Sequence, residues 1–195
     1  MRIKMIKVFY DCEFTHLFDI DIDDDPGLIS IALIDLDGNH CYFENQDFNP
    51  ANCSYFVQDG VLPYLSWYPK SATHFILSEI KQAITEGGKD AVSSKALVAG
   101  LTSFIESQKD EVMLLSDAPS FDWPLIKELF DAHGWPKNLS RKAYGLGLTA
   151  DEGDRYDRAC ETEYSADRSL RRHHALDDVK VIRKAYLSIT KTKIE

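Results

Sequence analysis

Three clusters of acidic side chains, the last of which also contains two histidines, are the residues of this chain best suited to chemistry. They comprise Asp11 and Glu13, then Asp122, and then His173, His174, Asp177 and Asp178. Asp11 and Glu13 lie in a run rich in β-forming residues, where side chains two positions apart project from the same face of a strand. Carboxylates held so close repel each other unless a cation lies between them, and hard oxygen ligands suit Mg²⁺ or Mn²⁺. The clusters therefore predict a divalent-metal site, provided that the fold brings them together.

The spacing within the third cluster distinguishes its two histidines. Counted from His173, the residues read His-x-Ala-x-x-Asp, because Ala175 lies two positions and Asp178 five positions later. His174 fits neither spacing. The two histidines therefore stand in different registers relative to Asp178.

The residue motifs of the three clusters, and the order in which they occur, resemble those of a known family. The first is Tyr10-Asp11-Cys12-Glu13-Phe14, the second is the aromatic-Asp pair Phe121-Asp122, and the third places a histidine five residues before its last aspartate. The chain resembles the His branch of the DEDD superfamily of 3′→5′ exonucleases (DEDDh, or DnaQ-like). Its first cluster resembles that of the small stand-alone exoribonucleases.

The resemblance implies a role for each motif residue. Asp11 would bridge two Mg²⁺ or Mn²⁺ ions, Glu13 and Asp178 would complete the shell of the first ion, and Asp122 would hold the second. His173 would be the general base that takes a proton from the attacking water. The alternative is that these acids are ordinary strand and helix charges and that the histidine is a surface residue.

The resemblance also implies a substrate. We expect a metal-dependent 3′→5′ exonuclease that acts on the 3′ end of single-stranded RNA, releases nucleoside 5′-monophosphates and uses a two-metal mechanism. Phe14 and Phe121 would flank the terminal base or sugar, although buried core positions are the alternative for both. A proofreading-type DNA exonuclease and a catalytically silent binding module of the same fold are the competing hypotheses, and the sequence leaves a homodimer open.

Two acidic features fall outside the family pattern. The second cluster lacks the asparagine that usually precedes the aromatic-Asp pair, and Asp117 stands nearby. Because Asp117 comes shortly before Pro119, we interpret it as a turn-stabilising residue. The run from 19 to 25 does not fit a calcium-binding EF-hand loop, and we expect a solvated loop near the rim of the site.

Composition limits the class of protein. A chain of 195 residues with 44% hydrophobic residues is the size of one domain with a sizeable core, so we predict a single domain over 1–195. The four cysteines show no paired spacing and no apolar run is long enough to span a membrane, which favours a soluble cytoplasmic protein. The net charge of −10 excludes a protein that coats long nucleic acid but permits an enzyme that grips a few terminal nucleotides.

Hydrophobic periodicity predicts an α/β protein with alternating strands and helices. The order of these elements resembles that of the ribonuclease-H-like exonuclease fold, which implies a central mixed five-stranded sheet flanked by helices. The first three strands, which follow one another closely, are predicted to be antiparallel. The predicted strands are 4–13, 28–36, 41–44, 112–115 and 138–146, the predicted helices are 55–65, 73–85, 93–107, 121–133 and 174–189, and 151–168 is predicted to be a polar connection.

Overall fold

The structure is a computed structural model that describes residues 5–17, 25–70, 72 and 74–190. Six strands form one mixed sheet in the order β4-β3-β2-β1-β5-β6. The strands are β1 (Ile6–Phe14), β2 (Leu28–Asp35), β3 (His40–Asn45), β4 (Ala91–Val92), β5 (Val112–Ser116) and β6 (Tyr144–Gly145). The helices are α1 (Tyr55–Gly60), α2 (Leu77–Glu86), α3 (Ser94–Glu106), α4 (Pro119–His133), α5 (Ala150–Ala166) and α6 (Ala175–Thr190).

The α/β class and the antiparallel pairing of β1, β2 and β3 agree with the sequence prediction. The strand count of five was wrong, because β4 adds a sixth strand that pairs in parallel with β3. β4 contains only two residues, too few to show a period-two pattern. The last predicted strand is likewise reduced to the two residues of β6.

Helices cover both faces of the sheet, and β1 contributes side chains to each side. Val8, Tyr10 and Cys12 pack against α3 and α4, whereas Phe9 packs against α6 on the opposite face. Side chains alternate along a strand, so Asp11 projects on the same face as Phe9. The motif acids of β1 therefore lie on the side of the sheet that α6 covers.

Several helix limits differ from those predicted by periodicity. The first predicted helix is shorter and ends at Gly60, and a single 3₁₀ turn follows over Leu62–Tyr64. α4 begins two residues before the predicted start, at Pro119, a residue well suited to the first turn of a helix. The acidic run from 19 to 25 lies outside the described residues except for Asp25.

The prediction of a polar connection over 151–168 was wrong, because this segment forms α5. A capping box starts the helix: Thr149 accepts a hydrogen bond from the backbone of Glu152, and the Glu152 side chain accepts one from the backbone of Thr149. Only a narrow stripe of α5 is apolar, so hydrophobic periodicity alone does not reveal the helix. Packing against α6, where Tyr156 contacts the cluster of Ala185 and Ile189, supplies the remaining stabilisation.

The four cysteines are free thiols, in agreement with the absence of a paired spacing. Among the described residues, no helix combines the length and the apolar character required to cross a membrane.

Candidate active site

β1 and β5 are parallel neighbours, so their carboxyl ends meet at one edge of the sheet. Asp11 and Glu13 occupy the end of β1, where they pair with the small residues Ala32 and Ser30 of β2. The register shifts between Glu13 and Phe14, which bends the strand at the point where its acids leave the sheet. This edge therefore presents two carboxylates towards the start of α4, the helix that follows β5.

Asp122 follows β5, in the first turn of α4, and is only 3% exposed. The Ser116 hydroxyl, at the end of β5, donates a hydrogen bond to the Asp122 carboxylate. The same hydroxyl oxygen accepts a hydrogen bond of 2.9 Å from the backbone N–H of Ala118. Ser116 therefore links the end of the strand to the start of the helix and orients the Asp122 side chain.

Asp178 lies in the first turn of α6, and His173 lies just before the helix. The backbone N–H of His173 donates a hydrogen bond of 2.9 Å to one Asp178 oxygen, and the Tyr164 hydroxyl donates one to the other oxygen. The φ angle of His173 is +60°, in the left-handed region, and no other non-glycine residue among those described has a positive φ. A residue held in this rare conformation needs support from its surroundings, which Asp178 provides.

Among the described residues, two groups of side chains could each hold a cation, and the ligand atoms of each group all lie within 4.8 Å of one another. The first cation group contains Glu13, His173 and Asp178. The second cation group contains Asp11, Asp117 and Asp122. The fold therefore gathers the five residues chosen from the motifs, from three separate regions of the sequence, and adds a sixth.

Mutual repulsion and burial strongly perturb these acids. Burial, together with the neighbouring carboxylates, raises the pKa of both Asp11 and Glu13 well above the usual range. Burial raises the pKa of Asp122 to about 7 and that of Asp178 to about 6, even though hydrogen bonds from Ser116 and Tyr164 oppose these shifts. Such a site favours either protons or cations.

The donor set fits divalent metal ions. Five of its six side chains are carboxylates, whose oxygens are the ligands that Mg²⁺ and Mn²⁺ prefer, and the sixth is the imidazole of His173. Desolvation and the neighbouring Arg172 guanidinium lower the pKa of His173, so its imidazole is neutral at physiological pH.

An apolar cavity of about 340 Å³ opens onto these acids from one side. Phe14 and Phe121, the two predicted substrate contacts, both line it, together with Leu17 and Phe56. The Phe56 ring meets the His173 imidazole edge to face, with 4.7 Å between the ring centroids. No lysine or arginine is among the described residues that line this cavity. It therefore offers flat apolar surfaces beside the carboxylates.

A second, polar cavity of about 300 Å³ reaches Asp11 and Asp178 from the α5 side. Its walls include Tyr156 and Tyr164 of α5 and Arg172. The guanidinium of Arg172 pairs with Glu161 at 2.7 Å and lies over the Tyr164 ring, 4.2 Å from its centroid. Arg172 is therefore held mainly by contacts within the protein.

His174 has a different environment from its neighbour. It is 5% exposed, its ring lies 5.0 Å from that of Tyr42, and its Nε2 accepts a hydrogen bond from Arg171 at 3.0 Å. Burial and Arg171 lower its pKa to about 4. Arg171 also forms an ion pair with Asp177 at 2.8 Å. His174 and Asp177 thus belong to a structural network, and neither is in a cation group.

Sequence reasoning did not assign four polar residues to the site, namely Asp117, Ser116, Tyr156 and Tyr164. Asp117, interpreted as a turn residue, extends into the second cation group, and its carboxylate accepts a hydrogen bond from Tyr156 at 3.0 Å. The Asp117 carboxylate also accepts backbone hydrogen bonds from Asp117 and Ala118, as expected of a turn residue, and the Ser116 hydroxyl accepts one from Ala118. Tyr156 and Tyr164 were missed together with α5. The Thr-x-x-Glu start at Thr149 was the local signal that would have revealed the helix.

No protein-family model matches the sequence, and no curated protein matches it. Solved structures do match the fold. The nuclease domain of 3'hExo, a DEDDh family member bound to rAMP, is 12% identical, with a TM-score of 0.52 over 95% of this chain and 92% of that chain. The chain shares the fold of this nuclease domain.

Two further structures with this fold differ in what they bind. The zinc-bound complex of E. coli exonuclease I with single-stranded DNA is 14% identical, with a TM-score of 0.53 over 97% of this chain and 42% of that chain. A 3'-exonuclease described in the recognition of a histone mRNA stem-loop is 11% identical, with a TM-score of 0.50 over 96% of this chain and 64% of that chain. The chain thus spans less than half of the exonuclease I chain. These structures confirm the ribonuclease-H-like architecture expected from the motifs.

Proposed function

We propose that the protein is a metal-dependent 3′→5′ exonuclease that removes nucleoside 5′-monophosphates from single-stranded RNA. One observation carries the proposal: Asp11, Glu13, Asp122, His173 and Asp178 converge at one edge of a sheet that has the DEDDh fold. A fold alone does not establish an activity. The convergence of these residues supports a catalytic function, because a binding module does not need several desolvated carboxylates that repel one another.

The carboxylates of Asp11, Glu13, Asp122 and Asp178 are the proposed metal ligands, with Asp11 at the centre of the site. When bound, two divalent ions would stabilise charge on the phosphoryl oxygens, lower the pKa of the attacking water and assist the leaving 3′ oxygen. Glu13 and Asp178 would hold one ion and Asp122 the other. Ser116 keeps the Asp122 carboxylate turned into the site before any ion arrives.

His173 is the proposed general base. Its imidazole lies at the mouth of the apolar cavity beside Glu13 and Asp178. The lowered pKa keeps the ring neutral, so a ring nitrogen can accept a proton from the attacking water. Because His173 precedes α6, its position depends on the loop conformation and on the hydrogen bond to Asp178.

The apolar cavity is the proposed site for the 3′-terminal nucleotide. Phe14, Phe56 and Phe121 provide aromatic surfaces on which a base or sugar can pack without selection of sequence. Such packing would place the terminal phosphodiester beside the carboxylates, since both line the same cavity. The net charge of −10 is compatible with this grip, because only a few phosphates need to be neutralised.

RNA is proposed ahead of DNA because the first motif, Tyr10 to Phe14, resembles that of small exoribonucleases. The exonuclease I complex with single-stranded DNA supports the alternative of a DNA exonuclease on the same fold.

The test uses matched single-stranded RNA and DNA oligonucleotides that carry a label on the 5′ end. They are digested with Mg²⁺, with Mn²⁺ or with EDTA and resolved by size. Metal-dependent ladders that retain the label, with RNA shortened faster, would support the proposal, and faster DNA shortening would favour the alternative. Binding of oligonucleotides without shortening would indicate a silent binding module. The Asp11→Asn protein, purified in parallel, controls for contaminating nucleases.

A further inference from the structure

α5 carries two tyrosines that face the motif acids and that no motif includes. Tyr156 and Tyr164 lie eight positions apart, with Cys160 between them at the four-residue spacing, so all three lie along one side of the helix. All three line the polar cavity that leads to Asp11 and Asp178. The rest of α5 is mostly charged and exposed. This stripe is therefore the part of the helix that meets the site.

Each phenol donates a hydrogen bond to a carboxylate of a different cation group. Tyr164 donates to Asp178 in the first group, and Tyr156 donates to Asp117 in the second at 3.0 Å. Burial and the nearby carboxylates raise the pKa of both phenols above the usual value, so both keep the proton that they donate. One helix thus contacts both groups through the same chemistry.

The bond to Asp178 has a clear geometric consequence. One oxygen of Asp178 accepts from the Tyr164 hydroxyl and the other from the backbone N–H of His173. Two donors from different elements therefore fix the rotation of the carboxylate about its own axis. Outer hydrogen bonds of this kind orient metal ligands, and their loss typically reduces metal affinity or activity by about 10-fold to 100-fold.

We propose that Tyr164 and Tyr156 are positioning residues, through which α5 holds one carboxylate of each cation group in the orientation that a divalent ion requires. The inference rests on the proposed metal-dependent function and adds to it. It assigns a role to a helix that lies outside the three motif clusters, and it places Asp117 among the residues that hold a cation.

The test measures metal binding separately from catalysis. Tyr164→Phe removes the hydroxyl but keeps the ring that lies over Arg172, and Tyr156→Phe does the same at the second group. Tyr186→Phe is the matched control, because its hydroxyl, on α6, accepts from Lys7 and lies outside both cation groups. Calorimetric titration with Mn²⁺ gives the Kd for each protein, and circular dichroism and melting temperature establish that each is folded.

We expect Tyr164→Phe to raise the Kd for Mn²⁺ at least 10-fold, Tyr156→Phe to raise it by a smaller factor, and Tyr186→Phe to leave it within 2-fold of the wild-type value, on the scale known for such outer contacts. The rate of Tyr164→Phe should recover towards the wild-type rate as the metal concentration rises, whereas a folding defect would not respond to metal.

A folded Tyr164→Phe protein with the wild-type Kd would overturn the inference and leave the proposed function intact. A wild-type protein that binds no Mn²⁺ would overturn both. An equal rise in Kd for Tyr186→Phe would show a general effect of phenol removal and would also overturn the inference.

Discussion

The two sides of the candidate site differ in what they offer to a ligand. The apolar cavity exposes Phe14, Phe56 and Phe121, whereas the polar cavity exposes carboxylates and the phenols of α5. Both open onto Asp11 and Asp178. The difference fits the proposed function, in which the apolar side would bind a nucleotide and the polar side would support the residues that hold metal. Each prediction below acts on one side or on the acids shared by both.

The largest effect is expected at the shared centre, where Asp11→Asn should abolish turnover and weaken Mn²⁺ binding. Asp11 lies in the second cation group and lines both cavities. The loss of one carboxylate from a desolvated, mutually repelling set should leave the metal-free protein as stable as the wild type or more stable. Oligonucleotide digestion, calorimetry and melting temperature together check this prediction. Substantial activity in the well-folded variant would remove Asp11 from the chemistry.

The next largest effect separates the two adjacent histidines. His173→Ala should lower the rate at saturating substrate by about 10²-fold to 10⁴-fold, the range for loss of a general base. His174→Ala should cost little rate directly but should lower stability, because His174 packs on Tyr42 and bonds to Arg171. Single-turnover rates and melting temperatures of both variants provide the measurement. The reverse ranking in rate would transfer the role of base to His174.

An intermediate effect is expected on the apolar side. Phe56→Ala should raise KM by about 10-fold, since stacking of one base contributes about 1–3 kcal/mol. Tyr55, its neighbour on α1, is 87% exposed and is not among the residues lining the cavity, so Tyr55→Ala is the matched control with an expected change of less than about 2-fold. Steady-state kinetics with a short RNA compare the two. Equal changes would mean that the cavity is not where the terminal base lies.

The smallest effect is the influence of pH on how strongly Mn²⁺ raises the melting temperature. Burial raises the pKa of Asp122 to about 7 and that of Asp178 to about 6 in the folded protein, above the value of about 3.9 in an unfolded chain. These groups therefore stabilise the fold at low pH, and that contribution is lost as the pH rises through 6 to 7. Added Mn²⁺ should accordingly raise the melting temperature by several degrees at pH 8 and by less at pH 5.

The measurement compares melting temperatures in Mn²⁺ and in EDTA at each pH. The difference between the two removes the contribution of titrating groups that are remote from the site. Asp11→Asn should show a smaller difference at pH 8. A difference that is larger at pH 5 than at pH 8 would contradict the coupling between protons and cations.

The motif residues and the residues of α5 also differ in how well the sequence alone predicted their place in the site. Asp11, Glu13 and Asp122 were found because each has a local signature, namely alternation on a strand or an aromatic-Asp pair at a helix start. His173 was distinguished from His174 by its spacing to Asp178, and the structure places the two side chains in different environments. These signals are short in sequence, and their resemblance to the motifs of a known family is what made them interpretable.

The helix α5 and the environment of Asp117 required the tertiary structure. A mostly charged helix has little hydrophobic periodicity, and its position depends on packing against α6 and on hydrogen bonds to acids distant in sequence. The sequence by itself determined the α/β class, because strand alternation and helix periodicity are local properties, and its resemblance to a known family indicated the motif acids and the His173 register. The tertiary structure alone decided which side chains meet around Asp11, because Tyr156, Tyr164 and Phe56 reach the site through long-range packing that no local spacing encodes.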